Sequence, residues 1–261
     1  MITAGIDCGA KNTKVVLLKD GDIVARSTVL SGFDQKAAVD QSFEKALGKA
    51  GLSHGSVDRI YATGAGMKEA HFAHDTVTEV GADARGTNFL FPSAKTVIDV
   101  GAEEGRAIKC DGKGKVIDFA VNEKCAAGAG SFTEAMARAL EIQVEEMGPL
   151  SLKSQKAVPM NAQCAVFAES EVVSLIHAKT PKEDIARAVH DAIADRISSM
   201  VRRVGIEKDV ALIGGVARNV GFVKSLGDNL EVPFSIPDEP EYVSALGAAL
   251  VAADHAKEVR K

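Results

Sequence analysis

The chain has 261 residues and a mass of 27.3 kDa, enough for one or two compact lobes. Hydrophobic residues make up 46% and charged residues 26%, which excludes a disordered or collagen-like chain. The formal charge is −5, from 31 Lys and Arg against 36 Asp and Glu, and aromatic content is 5% with no Trp, so neither a basic nucleic-acid stripe nor a base-stacking platform is expected. No stretch approaches the ~18–20 apolar residues of a membrane span. The first residues, MITAGID, lack a basic segment followed by an apolar core, and the expected location is cytoplasmic.

The first expected strand is Ile2-Thr3-Ala4-Gly5-Ile6-Asp7, followed by a turn over 8–12 and a second strand over 13–18. Asp20-Gly21 signals a hairpin into a third strand over 23–30. A helix is expected over 35–50, with Ala37, Ala38, Phe43, Ala46 and Leu47 apolar, and a short strand over 59–63 precedes Gly64 and Gly66. The pattern then restarts. Val97-Ile98-Asp99-Val100-Gly101 lies 92 positions after Gly5-Ile6-Asp7-Cys8-Gly9, and Arg106 lies at that same offset from Lys14. Asp111-Gly112 echoes Asp20-Gly21 one residue out of step, and a strand over 116–121 answers the one over 23–30. Asp-x-Gly turns are common, but matched features in one order point to an internal duplication. Beyond it, helices are expected over 130–140, 168–178 and 181–204, the last with Thr180 as N-cap before Pro181. A strand over 210–213 leads through Gly214-Gly215 to a helix from about 217, and a last helix covers about 243–256. The expected fold is α/β, with lobes over 1–95 and 96–261.

Asp7 and Asp99 each close an apolar strand, where a carboxylate can hold hydrated Mg²⁺. The glycines beside them let backbone N–H groups approach phosphate oxygens. Two such turns facing each other across a cleft would grip a polyphosphate. Candidate contacts are Gly9, Ala10, Lys11, Asn12, Thr13 and Lys14 in the first turn, and Gly101, Ala102 and Arg106 in the second. A third motif, Ala211-Leu212-Ile213-Gly214-Gly215-Val216-Ala217-Arg218-Asn219, is a strand, a Gly-Gly turn and a helix. Gly214 and Gly215 leave room for a flat adenine, with Arg218 beside them. This order resembles actin, the heat-shock chaperone ATPases and the sugar kinases, and implies their two-lobed fold and bound ATP or ADP.

Cys125 and Cys164 sit in loops before two expected helices, where helix N-termini favour thiolates; both also read as packing residues. A [4Fe–4S] cluster takes four thiolates, so two per chain would require a two-fold dimer. The stretches 5–14, 78–86, 98–108, 122–132, 165–175 and 212–219 resemble the BadF/BadG/BcrA/BcrD ATPases, the activators of 2-hydroxyacyl-CoA dehydratases and the ATPase subunits of benzoyl-CoA reductases. The resemblance implies one [4Fe–4S] cluster shared by two subunits, with Cys125 and Cys164 as its ligands. It further implies an electron from ferredoxin or flavodoxin, ATP-driven delivery to catalytic iron–sulfur reductase or dehydratase subunits, and anaerobic function. Cys8 and Cys110 match no ligand position and read as packing.

Activators of the dehydratase type usually read Gly-Gly-Gln-Asp-x-Lys at the second turn. Here it is Gly101-Ala102-Glu103-Glu104-Gly105-Arg106, so Glu103 replaces a Gln that would orient water. Glu103 is a candidate base or Mg²⁺ contact. The Gly-x-x-x-Gly-Arg-Ala-Ile form resembles a benzoyl-CoA reductase ATPase subunit, so that reading ranks first, with a dehydratase activator next. Such a chain works as a homodimer or as half of a heterodimer. From another class, a small-molecule kinase on the same fold is the alternative, and a regulatory subunit without turnover is a further one.

Overall fold

The computed structural model describes residues 1–122, 128–160 and 164–259. The chain divides into two compact units, the first formed by Met1–Lys95, Cys110–Ile117 and Pro237–Lys261, the second by Thr96–Lys109 and Asp118–Ile236. The segment from Pro237 onward therefore packs in the first unit and not in the expected lobe over 96–261.

In the first unit, β1 (Ile2–Cys8), β2 (Asn12–Lys19), β3 (Asp22–Leu30), β4 (Arg59–Thr63) and β5 (Asp75–Thr76) form a sheet in the order β3-β2-β1-β4-β5. Asp20 and Gly21 both take positive φ, 55° and 100°, as a tight hairpin turn between right-twisted strands requires. Helix α1 (Gln35–Ala50) starts at Asp34, whose side chain accepts from the Ala37 N–H, and stops at Gly51 in the left-handed conformation. It buries Val39, Phe43, Ala46 and Leu47 against Ile6, Val15, Leu17 and Ile60. Helix α2 (Glu79–Leu90) follows β5. The sequence pattern does not reveal it, because its buried residues are Ala82, Asp83, Ala84, Gly86 and Thr87, with no large apolar stripe.

The second unit repeats the plan. Strands β6 (Thr96–Val100), β7 (Gly105–Cys110), β8 (Val116–Asn122) and β9 (Val210–Ile213) lie in the order β8-β7-β6-β9. The registers correspond: Asp7 faces Lys14 on an antiparallel neighbour and Thr63 on a parallel one, while Asp99 faces Arg106 and Ile213 in the same two senses. A parallel bridge from Ala211 to Ser235 stands where β5 stands in the first sheet.

Helices α3 (Ala129–Ala139), α4 (Val144–Ser151), α5 (Ala165–His177), α6 (Lys182–Val204) and α7 (Val220–Leu230) belong to the second unit. Its core joins Ile98, Phe132, Met136, Val189, Ile197 and Phe222. Short α4, with Pro149 inside it, is not expected from the sequence. Pro181, not Thr180, is the N-cap residue of α6, and no side chain caps that end. The helix expected from about 217 starts at Val220, because a 3-10 turn over Gly215–Arg218 intervenes and Asn219 caps α7. Helix α8 (Val243–Val259) lies on the first sheet, packing Ala245, Leu246, Ala249 and Leu250 against Val16 and Leu18. Among the described residues, no helix is long and apolar enough to cross a membrane.

Candidate functional site

In the first unit, β1 carries Asp7 to the mouth of a tight turn. The Lys14 ammonium donates to Asp7 Oδ2 at 2.7 Å, and both side chains are largely buried. Gly9 lies against them, 3.3 Å from Lys14 Nζ at its would-be Cβ, and Ala10 and Lys11 form the exposed tip. Ser31 braces the turn from behind: its hydroxyl donates to the Gly9 carbonyl at 2.7 Å, and its N–H donates to the Lys11 carbonyl at 2.9 Å. Thr13 is fully buried and shares a 3.0 Å hydrogen bond with the Ser31 hydroxyl, so its side chain serves the brace; Asn12 is half-buried at the start of β2.

The second unit builds the matching arrangement with stronger chemistry. The Arg106 guanidinium donates to Asp99 Oδ2 through Nη2 and to Glu104 Oε2 through Nη1, the latter at 3.0 Å. Asp99 and Arg106 are buried; Gly101 and Ala102 are half-buried at the turn, and Glu103 is exposed.

A glycine closes each carboxylate from the neighbouring parallel strand. After β4, Gly64 has φ +89°, and a Cβ there would stand 2.7 Å from both Asp7 Oδ1 and the Cys8 carbonyl. After β9, Gly214 has φ +87°, and its Cβ would strike Asp99 Oδ1 and the Val100 carbonyl. The sequence marks Gly64 but assigns it no role. The available signal was its place directly after a strand, as Gly214 follows β9. Gly215 has open space around it and Arg218 is exposed, as a turn receiving a flat ring would need.

Helix α3 begins on the second turn. Cβ atoms at Gly128 would meet the Ala102 carbonyl and Glu103 Cα, and one at Gly130 would stand 2.9 Å from Ala102 Cα. The Gly130 N–H donates to the Gly101 carbonyl at 3.2 Å, and the Ser131 N–H to the Ala102 carbonyl at 3.0 Å. The Ser131 hydroxyl donates to Glu103 Oε1 at 2.5 Å. Gly128, the N-cap, has no side chain to offer, so a carboxylate from the turn supplies negative charge at this helix N-terminus. Nothing in the sequence pattern singles out Ser131 or the two glycines.

Cys125 lies outside the described residues. Cys164 is half-buried at the N-cap of α5, its carbonyl accepting from the Ala168 N–H at 2.9 Å. It lies in no disulfide. Helix α5 exposes Phe167, Val173 and Ile176. A half-buried thiol at a helix N-terminus fits a thiolate ligand. Among the described residues, no three His, Cys, Asp or Glu side chains cluster as a metal site.

Cys8 and Cys110 are different. Burial, chiefly, pushes the Cys8 thiol up to about 12 and the Cys110 thiol up to about 11, with Asp7 and Asp111 adding to the effect respectively. Both should stay protonated and unreactive at pH 8. Iodoacetamide treatment of the folded protein at that pH, read by mass spectrometry, should leave both unmodified. Rapid labelling of either would contradict this assignment.

Two α/β units on one strand plan, each with an Asp–cation pair under a positive-φ glycine, define an ATPase-type fold of the actin and sugar-kinase kind. A ROK family glucokinase from Streptomyces griseus, 14% identical, shares this fold with a TM-score of 0.57 over 97% of this chain and all of that one. The profile of the BadF/BadG/BcrA/BcrD ATPase family matches residues 4–252, and the chain belongs to that family. It is 40% identical to a 2-hydroxyisocaproyl-CoA dehydratase activator of Clostridioides difficile, over all of this chain and 98% of that protein. It is 34% identical to a subunit of the benzoyl-CoA reductase of Thauera aromatica, over 95% of this chain and 92% of that protein. The solved structure of the activator of the 2-hydroxyisocaproyl-CoA dehydratase, with bound ADPNP, superposes with a TM-score of 0.94 at 39% identity, covering all of this chain and 97% of that one.

Proposed function

We propose that this ATPase activates a CoA-ester dehydratase or reductase by ATP-driven delivery of single electrons. The observation that carries the reading is the seating of α3 on the second turn, through which a change at Gly101–Glu103 would reach the helix that follows Cys125. A nucleotide can drive a partner only by binding two states differently, and this junction provides an element to bias. Asp7 and Asp99 would hold hydrated Mg²⁺, Lys14 and Arg106 offset the phosphate charge, and the glycine turns present backbone N–H groups. The open space beside Gly215 would take the adenine. Cys125 and Cys164 of two chains would hold a [4Fe–4S] cluster, which supplies one-electron carriage when bound. Phe167, exposed on the first turn of α5 beside Cys164, would then lie against the second chain. Ferredoxin or flavodoxin is the expected donor, in the cytoplasm of an anaerobic cell.

Identity favours a dehydratase as the partner. The Gly101–Arg106 sequence, with Glu103 in place of Gln, favours the reductase type and pairing with a related ATPase subunit as a heterodimer. Anaerobic purification with iron and sulfide analysis tests the shared reading, which expects four of each per two chains. An iron-free protein that phosphorylates a small molecule would favour the kinase instead.

Glu103 is committed to Ser131 through one oxygen, which supports positioning over proton abstraction. Gln could accept the same hydrogen bond. Glu103→Gln should therefore hydrolyse ATP within about tenfold of wild type, roughly 1.4 kcal/mol of barrier. A loss of about 100-fold in steady-state turnover would make Glu103 the base.

A further inference from the structure

We propose that His190 is a positioning residue for the adenosine turn, acting through Asn219; this rests on the nucleotide reading above. Asn219 ends the Gly-Gly motif and caps α7, its Oδ1 accepting from the N–H groups of Gly221 at 3.0 Å and Phe222 at 3.2 Å. Those two bonds fix which end of the amide is oxygen. The Nδ2 group therefore points at His190 Nε2, 3.0 Å away, and can only donate. Nε2 must accept, so the single proton of the neutral ring sits on Nδ1.

That proton has no partner among the described residues, although His190 is fully buried. A buried unpaired donor is costly, and a ring kept only to fill the core would do better as Leu. What the histidine gains in return is an acceptor aimed at Asn219. Protonating Nε2 would set donor against donor. Burial independently keeps the ring neutral, pushing its pKa down to about 4. Gly148 closes the other side, its would-be Cβ 2.7 Å from Asn219 Oδ1, so the amide is held by α4, α6 and its own helix.

Helix α6 gives this clamp its meaning. Asp184, at its start, accepts from the Ser154 hydroxyl and the Gln155 and Lys156 N–H groups, fastening the segment that leads toward Cys164. Farther along, Arg196 lies 4.6 Å over the Phe132 ring of α3, and the Ile197 Cδ1 stands 2.8 Å from a would-be Cβ at Gly105. His190 thus ties the adenosine turn to the same helix that touches β7 and the approaches to both cysteine loops.

The test is ADP affinity of the whole protein by calorimetry, beside nitrogen-15 spectra of its histidines. His190→Leu should weaken ADP about tenfold, while His190→Gln, whose amide oxygen can still accept, should stay within about threefold of wild type. Asn219→Ser keeps an N-cap oxygen but is one bond too short to bring a donor to Nε2; it should match His190→Leu and guards against a misfolded leucine variant. The wild-type spectrum should show His190 neutral, with its proton on Nδ1, between pH 5.5 and 8. A histidine without that role would leave the ADP affinity of His190→Leu unchanged, whatever its melting temperature; that result, or a proton on Nε2, overturns the inference. A wild-type protein that binds no ADP would instead overturn the proposed function, and this inference with it.

Discussion

Gly214→Ala should reduce ATP hydrolysis by about 100-fold or more, the loss expected when a catalytic constellation is displaced by about 1 Å. Gly214 holds φ 87° and ψ 165°, a region that essentially glycine alone occupies, where another residue is strained by about 1–3 kcal/mol. The new methyl group would also meet Asp99 Oδ1 and the Val100 carbonyl, so relief of strain must move the Asp99 carboxylate or the turn itself. Neither can shift without disturbing Arg106, which is bonded to both Asp99 and Glu104. Gly215→Ala is the control. Nothing surrounds that position, so the fold should keep its melting temperature while nucleotide binding weakens, because the methyl enters space assigned to the adenine. Steady-state turnover and thermal melts of both variants check the pair. Full activity in Gly214→Ala would remove the third motif from the site.

Cys164→Ser should yield protein without iron. Serine keeps the N-cap geometry of α5 and even improves it, so the chain should fold. A serine hydroxyl is a poor iron ligand, whereas a cysteine thiolate at that position would serve as one. With two thiolates per chain, loss of one from each of two chains leaves half the ligands, too few for a [4Fe–4S] cluster. Cys8→Ala and Cys110→Ala should keep wild-type iron, since both thiols are buried and held protonated. Iron and sulfide assays on anaerobically purified protein make the comparison. A Cys164→Ser protein with wild-type iron would remove Cys164 from the ligand set.

The strand plan was legible because its signals are local. Asp20-Gly21 announces a hairpin, and the alternation from apolar strand to Asp-x-Gly turn recurs at one fixed offset. That offset also placed Lys14 and Arg106 correctly as equivalents, since a two-stranded register is nearly fixed by turn length. What stayed hidden depends on distant parts of the chain. Gly64 and Gly214 close on carboxylates that they reach only through parallel pairing, with β4 and β9 far from their partners in sequence. Helix α2 escaped because it buries alanines and glycine, which carry no strong period. The seating of Gly128 and Gly130 on Ala102 is a backbone contact, and sequence pattern says little about those. Nothing in the sequence pattern marks His190, whose tautomer follows only from its contact with Asn219.

In the proposed function, ATP hydrolysis acting through the second turn and α3 drives an electron onto a partner protein. The measurement is anaerobic: dithionite-reduced protein is mixed with an oxidised 2-hydroxyacyl-CoA dehydratase, and the partner's reduction is followed optically with ATP, ADP or a non-hydrolysable ATP analogue. Sustained reduction and dehydratase turnover should require ATP, with ADP and the analogue supporting at most a small fraction of it. Equal reduction with ADP, or without nucleotide, would contradict the account.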